Sequence, residues 1–518
     1  MTRYLLAIDA GTGSCRALLF TPDGRQAAAA TREWTHREPP GVPGGQDFDV
    51  QAGWAAIAAC IGEALGTAGA RGADVAAVSA TSMREGVVLY DKAGQEIWAC
   101  PNVDSRSAAE AAELIAEGAA DKIYAEAGDW VSITTPARLR WLARHRPVVL
   151  ADAAGLGLLS DWILYRLSGV QVTEPSCGSS SGMFTLSRRS WSQEIARICG
   201  LPPEVLPPVV DPGTVIGQVT AAAAEQTGLR AGTPVVAGGA DTQLGLLGCG
   251  ALPGEYTVVG GTFWQSTVLL GEPLVDPKAR LRTLCHVEPG LWMLEGIGFY
   301  CGMAMRWFRD GFCAAEVAEA ASRGIDPYVL MEDLAARVPV RPGGVLAIMS
   351  NLMNAGRWVH ASPSFLQLDL GDPAVSGKGA CVRALEEAAA FVARGHRDII
   401  TELTGRQFDE LVFTGGAARG RLWPQIMADV LGVPVHVPAV TESSALGAAL
   451  CAGTGAGMYA SVTELRDGLR TRAATFEPAP AGVAVAGQRY AAWQEIYRRM
   501  LAMSEDGLLS PLWRAAGA

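Results

Sequence analysis

The sequence predicts an α/β protein built from two similar lobes with a cleft between them. Three observations carry that expectation. A strand–turn–strand unit opens the chain, with apolar runs at 4–8 and 15–20 around the small-residue turn Gly11-Thr12-Gly13-Ser14. The same device returns at 256–270 around Gly260-Gly261-Thr262, so turns centred on Thr12 and Thr262 stand about half a chain apart. The 518 residues also exceed one ordinary domain of roughly 100–200 residues.

The elements follow in order. Residues 4–8, 15–20 and 26–33 read as a three-stranded meander, with Pro22-Asp23-Gly24 as its second turn. A Pro/Gly loop at 39–45 precedes a helix at 50–66. Strands are expected at 75–79 and 87–90, with a loop at 81–86 at the lip. Helices follow at 105–118, 137–146 and 159–167, and residues 171–186 read as a hairpin. A break near 245 separates lobes expected at 1–246 and 247–518. The second lobe is expected to carry helices at 374–403, 421–431 and 443–452, and a strand at 411–414.

Composition narrows the function classes. Apolar residues make up 49% and charged residues 18%, and a chain this long buries a core without metal or disulfide staples. That excludes a disordered, collagen-like or small stapled protein. Lys+Arg 42 against Asp+Glu 53 leaves a net charge of −11, so no nucleic-acid partner is expected. Eleven cysteines without a Cys-x-x-Cys pair read as thiols in a reducing compartment. No membrane span is expected either: the best candidate, 141–165, carries Arg144, His145, Arg146, Asp152 and Asp161. Asp9 breaks the first apolar run too early for a signal peptide, so the expected location is cytoplasmic.

The chemistry-bearing motifs are glycine turns and strand-end acids. In Ile8-Asp9-Ala10-Gly11-Thr12-Gly13-Ser14 a carboxylate ends a buried strand and can hold Mg²⁺ directly or through water. Gly11 and Gly13 let backbone N–H groups approach phosphate, and Thr12 and Ser14 add hydroxyls. A plain hairpin turn is the alternative. A second turn, Gly260-Gly261-Thr262, facing the first would clamp a triphosphate from both sides. At 411–420 a strand, the diglycine Gly415-Gly416 and a helix start make a place where backbone approaches a flat ligand such as adenine; an ordinary strand-to-helix turn is the alternative. After the apolar strand 234–237, the Gly-rich turn Gly238-Gly239-Ala240 leads to Asp241, which is suited to accept a hydroxyl proton, or to cap the helix that follows, or both.

Other motifs fail. Gly377-Lys378 is followed by Gly379 and lacks the upstream Gly of a Walker A loop, and Arg16 stands where a dinucleotide fingerprint needs its third Gly. Gly178-Ser179-Ser180-Ser181-Gly182 fits a nucleophile elbow in letters only, because 183–186 reads as strand and makes it a hairpin tip. The six histidines show no ligand spacing.

The segments 8–14, 238–245, 258–265, 411–435 and 441–453 stand in the order seen in the FGGY carbohydrate kinases, and the resemblance runs over about residues 4–500. It implies two ribonuclease-H-like lobes of the actin and sugar-kinase superfamily with an interlobe cleft. It also implies ATP, Mg²⁺ and γ-phosphoryl transfer to a sugar or polyol hydroxyl. On that resemblance Asp9 is the metal-associated acid, and Gly11, Thr12, Gly13 and Ser14 form the first phosphate turn. Asp241 is the general base beside the metal. Gly260, Gly261 and Thr262 form the second turn, Gly415 and Gly416 with Arg419 the adenosine motif, and Glu442 with 444–447 the closing motif. Positioning and charge neutralisation are most of what phosphoryl transfer needs.

Substrate choice turns on departures from the common family pattern. Ser82-Met83-Arg84-Glu85-Gly86 stands where pentulose kinases read Gln-Met-His-Gly, and its Arg-Glu pair resembles the polyol-holding pair of glycerol kinases. A surface ion pair is the alternative. Asn102-Val103-Asp104 replaces Trp-Asn-Asp, Phe263 replaces a small residue, and Trp264 and Gln265 are expected to crowd the pocket. Expected substrate contacts are therefore Met83, Arg84, Glu85, Asp104, Asp241 and Gln265. With 305–313, 360–365 and 509–513, these departures resemble one branch of the family. That branch phosphorylates the linear five-carbon 4,5-dihydroxy-2,3-pentanedione at its C5 hydroxyl. A xylulokinase-type pentulose kinase, a glycerol or polyol kinase, and a non-catalytic sugar- or nucleotide-binding regulator are the alternatives. Intact Asp9 and Asp241 argue against the last. A monomer or homodimer is expected.

Overall fold

The computed structural model describes residues 3–132, 134–353 and 359–512; Trp513 of the 509–513 motif lies outside them. Two sheets organise the chain. In the first, Tyr4–Ala10, Ser14–Phe20 and Gln26–Glu33 form the expected antiparallel meander. Val75–Ser82 lies parallel to Tyr4–Ala10, Pro234–Ala240 parallel to Val75–Ser82, and Val215–Gln218 closes the edge antiparallel.

The second sheet repeats that plan. Tyr256–Gly260, Trp264–Leu270 and Trp292–Gly298 are its antiparallel meander. Leu411–Thr414 and Val435–Pro438 extend it in parallel, and Arg472–Phe476 closes the edge antiparallel. Arg282–Cys285 adds one strand beyond the meander. The duplication expected from two Gly-Thr turns is thus a duplication of whole sheets.

Strand periodicity places the side chains. Tyr4–Ala10 is buried on both faces, as a central strand covered by helices must be. Leu6, Ile8 and Ala10 point to one core, together with Trp54, Ile57 and Ile61 of helix Val50–Ala68. Asp49 caps that helix by accepting from the N–H groups of Gln51 (3.2 Å) and Ala52 (3.0 Å), and Gly69 ends it at φ 61°. Leu5 and Ala7 point the other way, against Ala445, Ala448, Ala449 and Ala452 of helix Ser443–Gly455. That helix comes from late in the chain yet covers the first sheet.

Helix Asp241–Gly248 sits between the sheets. Leu244 and Leu247 join the core of the first, and Leu246 joins a core with Leu269, Leu284 and Met293 of the second. It crosses Ser443–Gly455 at glycines: a Cβ on Gly447 would lie 2.1 Å from the Leu244 carbonyl oxygen, and one on Gly248 1.9 Å from that of Ser443. Only glycine permits this approach, and it fixes where Asp241 stands.

Two local expectations need correction. Residues 171–186 are not a hairpin: Pro175–Ser180 is a helix, capped by Glu174, with Pro175 in its first turn. Its serines turn back on the chain, Ser180 donating to Cys177 O (2.7 Å) and Ser181 to Gly178 O, and the paired strands Phe184–Thr185 and Ser190–Trp191 come after it. The expected single helix at 105–118 is Ala108–Ala116, followed by Ala119–Ala127 after Gly118 at φ 69°. Among the described residues, no helix is long and apolar enough to cross a membrane, and no three His, Cys, Asp or Glu side chains group to hold a metal. All eleven cysteines are free thiols.

Candidate active site

The first turn is built by strand parity. Asp9 shares the face of Leu5 and Ala7, and its cross-strand partner is Arg16. Arg16 donates through Nη2 to Asp9 Oδ2 and through Nη1 to Glu442 Oε2, just ahead of helix Ser443–Gly455. Glu442 Oε1 also stands 3.8 Å from Arg419 Nη2. An ion-pair chain Asp9–Arg16–Glu442–Arg419 therefore links the first turn to the diglycine region. Gly11 N donates to Ser14 O (2.9 Å), closing the turn. Thr12 exchanges hydrogen bonds with the Asn102 amide (3.0 and 3.2 Å), and Trp34 Nε1 and His36 Nε2 bind the Thr12 carbonyl.

Asp241 opens its helix at the end of strand Pro234–Ala240, with 35% of its side chain exposed. Thr242 N donates to its Oδ1 (2.6 Å), Ser444 Oγ donates to its carbonyl (2.9 Å), and Arg84 Nε lies 3.8 Å away. Exclusion from water raises its pKa to about 6; Arg84 opposes the rise and Asp9 adds to it. The two strand-end acids therefore feel one another.

Arg84 and Glu85 belong to a buried network that joins the two halves. Arg84 Nη1 donates to both oxygens of Glu295 (3.0 and 2.8 Å), on a strand of the second sheet. Arg282 donates to Glu295 (2.5 Å), Glu85 Oε1 (2.9 Å) and Asp129 (3.1 Å). Burial would raise the Glu295 pKa, but Arg282 and Arg84 hold it below the usual range. Burial lifts Asp129 to about 6 against the pull of Arg282. Glu85 itself adopts φ 62°, a left-handed conformation rare for its type, and Arg138 Nη1 donates to its carbonyl.

Two expected contacts, Met83 and Asp104, are fully packed. Met83 is 2% exposed and packs in the first-sheet core, its N–H bonded to Ala10 O (2.8 Å). Asp104 has no exposed side-chain surface; it accepts from Arg106 (2.7 Å) and Gln46 N (2.8 Å) and lies 3.6 Å from Arg138. Through Arg138 it supports the Glu85 backbone. Trp264 does not crowd the pocket: it is 1% exposed and packs on Phe413 and Trp423 in the second core. Gln265 is half-buried, opposite Val259 and Ile297.

The second turn and the diglycine meet. Gly415, at φ 91°, would bring a Cβ within 2.7 Å of the Gly260 carbonyl oxygen, and a Cβ on Gly260 would touch Ala417. Gly260 and Gly416 border a cavity of ≈ 580 Å³ with Gly261, Thr262 and Arg419, whose remaining wall includes Met305, Tyr328, Val382, Glu386 and Trp423. Neither Glu386 nor Arg282 stands out in the sequence, because Glu387 adjoins the one and Arg280 lies two residues before the other; only Glu295 shows itself, as a lone charge in the apolar strand Trp292–Gly298.

Two ribonuclease-H-like sheets, each headed by a glycine turn, with two strand-end acids on the first, define a two-lobed phosphotransferase. The FGGY family of carbohydrate kinases matches with its N-terminal domain over residues 4–248 and its C-terminal domain over 257–456, and the chain belongs to that family. Curated relatives called autoinducer-2 kinase, from Salmonella typhimurium and Klebsiella pneumoniae, are each 43% identical over 99% of this chain, covering 98% and 97% of their own lengths. The xylulose kinase of Rhodospirillum rubrum is 28% identical with a TM-score of 0.83, over 97% of this chain and all of that one. The gluconate kinase of Lactobacillus acidophilus, at 19% identity and a TM-score of 0.85 over 98% of this chain and all of its own, shares the fold. The protein is an ATP-dependent sugar kinase.

Proposed function

We propose that this kinase transfers the γ-phosphoryl group of ATP to the C5 hydroxyl of 4,5-dihydroxy-2,3-pentanedione, the linear form of autoinducer-2. The observation that carries the substrate is the 43% identity to autoinducer-2 kinases across 99% of the chain. The geometry supports the reaction. Asp241 stands partly exposed beside Arg84, and as a base it takes the proton of the primary hydroxyl. Arg84 and Glu85, locked by Glu295 and Arg282, orient adjacent oxygens of the short chain, with Gln265 nearby on the second sheet. Asp104 and Met83 act as positioning residues behind them.

The nucleotide reading rests on the ≈ 580 Å³ cavity bordered by Gly416 and Arg419; these, with the adjoining Gly415, hold the base and ribose. Gly260, Gly261 and Thr262 face the phosphates from one side, and Gly11, Thr12, Gly13 and Ser14 from the other. The donor set fits Mg²⁺, which takes one or two carboxylates together with phosphate oxygens. Asp9 and Asp241 supply those carboxylates, and their mutual repulsion, part of what raises Asp241, is what a cation relieves. Bound there, Mg²⁺ neutralises phosphate charge. We assign the sugar side and base to residues 1–246 and the nucleotide side to 247–518, in a cytoplasmic monomer or homodimer.

A pentulose kinase is the second reading, favoured by the 28% identity to a xylulose kinase. ATP consumption with the pentanedione, D-xylulose, D-ribulose and glycerol at equal concentration separates them. The pentanedione is expected to give the highest kcat/KM, and a higher value with D-xylulose would replace the assignment.

A further inference from the structure

The proposed nucleotide cavity contains a group that the phosphate turns do not use. Glu386 lies one helical turn after Val382 on helix Lys378–Thr404, so both side chains share the face that lines the cavity. It is 3% exposed, and its Oε2 has no hydrogen-bond partner. Its neighbour Glu332 is satisfied: it accepts from the backbone N–H groups of Arg421 (3.0 Å) and Leu422 (2.9 Å) and so caps helix Leu422–Leu431. Glu387, next in sequence, pairs with Arg383 and Arg489. Trp423 Nε1 donates to the Glu386 backbone carbonyl (3.1 Å), not to its carboxyl.

A buried carboxyl oxygen left unpaired costs about 1–3 kcal/mol, so its retention asks for a ligand that pairs with it. Apolar side chains flank it: Val382, Met305, Met331 and Trp423. A flat heteroaromatic ring fits those walls, and a hydrogen-bonding ring edge fits the acid.

We propose that Glu386 is the base-reading residue of the nucleotide cavity, a neutral carboxylic acid that donates to a ring nitrogen of adenine and accepts from its 6-amino group. Burial first, then the nearby Glu332 carboxylate, push this carboxyl well above the usual range and favour its protonated form; Arg383 opposes them, and Glu387 adds a smaller push. A neutral acid presents one donor and one acceptor side by side, the complement of an amino group beside a ring nitrogen. An ionised carboxylate would present acceptors only.

The inference rests on the nucleotide occupying this cavity, and the test separates the two. Steady-state kinetics would compare ATP with purine riboside triphosphate, which lacks the 6-amino group, in wild type, Glu386→Gln, Glu386→Leu and Gly416→Leu. Wild type is expected to prefer ATP by about tenfold in kcat/KM, the size of one hydrogen bond to a buried group. Glu386→Gln keeps a donor beside an acceptor and should keep the preference. Glu386→Leu should raise KM for ATP about tenfold and abolish the preference, with the sugar KM unchanged. Equal use of both nucleotides by wild type, or an undiminished preference in Glu386→Leu, overturns the role of Glu386. If Gly416→Leu, whose side chain takes up cavity space, also leaves the ATP KM unchanged, the nucleotide lies elsewhere and the cavity reading fails with it.

Discussion

The two glycine turns occupy equivalent places in equivalent sheets, yet they are dressed for different work. In the first, the second pair back from the turn is Asp9 opposite Arg16; in the second, the matching pair is Val259 opposite Gln265. The first turn is threaded into an ion-pair chain through Glu442 to Arg419 and tied to Asn102, Trp34 and His36. The second opens on a cavity with Met305, Met331, Val382 and Trp423 in its wall and is braced by the glycines of a neighbouring turn. One duplicated scaffold thus carries paired charges behind its first turn and close-packed glycine backbone at its second. The helix pair Asp241–Gly248 and Ser443–Gly455, crossing at Gly248 and Gly447, sets the distance between the two.

If that division is right, variants at the two turns fail in different ways. Asp9→Asn should lower kcat about 100-fold and raise the Mg²⁺ requirement while KM for ATP shifts by no more than about threefold, because charge placed for the transition state is lost. A rise in KM alone would break the comparison. Glu295→Gln strips Arg84 and Arg282 of their shared carboxylate. It should destabilise the fold by about 3 kcal/mol, read by denaturant unfolding, and raise the sugar KM about tenfold with the ATP KM unchanged. Gly416→Leu should raise the ATP KM about tenfold and leave kcat within about twofold, the signature of ground-state binding alone.

The smallest effect is the dependence on pH. Asp241 acts deprotonated, so with a pKa near 6 the log of kcat/KM should rise by about one per unit below pH 6 and level off above it. Asp129 has the same value, so the profile of Asp129→Asn should keep its lower limb. Stability runs the other way for this group. Because the folded pKa lies above the ordinary 3.8, the contribution of Asp241 to stability falls as pH rises from about 4 to about 6. Asp241→Asn should remove both trends.

What was legible in the sequence was local. Gly11, Gly260, Gly415 and Asp241 show themselves because a tight turn or a strand-end acid is a property of a few adjacent residues. The repeated turn gave away the two-sheet plan for the same reason. The network that locks Arg84 and Glu85 was hidden, since Arg84 and Glu295 are 211 residues apart and only the closing of two sheets brings them together. Asp104 was expected as a substrate contact although Asn102-Val103-Asp104 departs from the family's Trp-Asn-Asp, and its burial between Arg106 and Arg138 depends on partners that no local pattern shows. The error at 171–186 is of another kind. Serine and glycine suggest a turn, but Glu174 and Pro175 start a helix there, and Gly178 lets Phe184 pack close against it.

The account centres on Asp241 as the group that takes the hydroxyl proton at the junction of the two lobes. Its most direct test is Asp241→Asn, assayed for phosphoryl transfer to 4,5-dihydroxy-2,3-pentanedione and titrated calorimetrically with ATP. Transfer should fall about 1000-fold or more, with ATP affinity within about threefold of wild type. Turnover within tenfold of wild type, with ATP still bound, would contradict it.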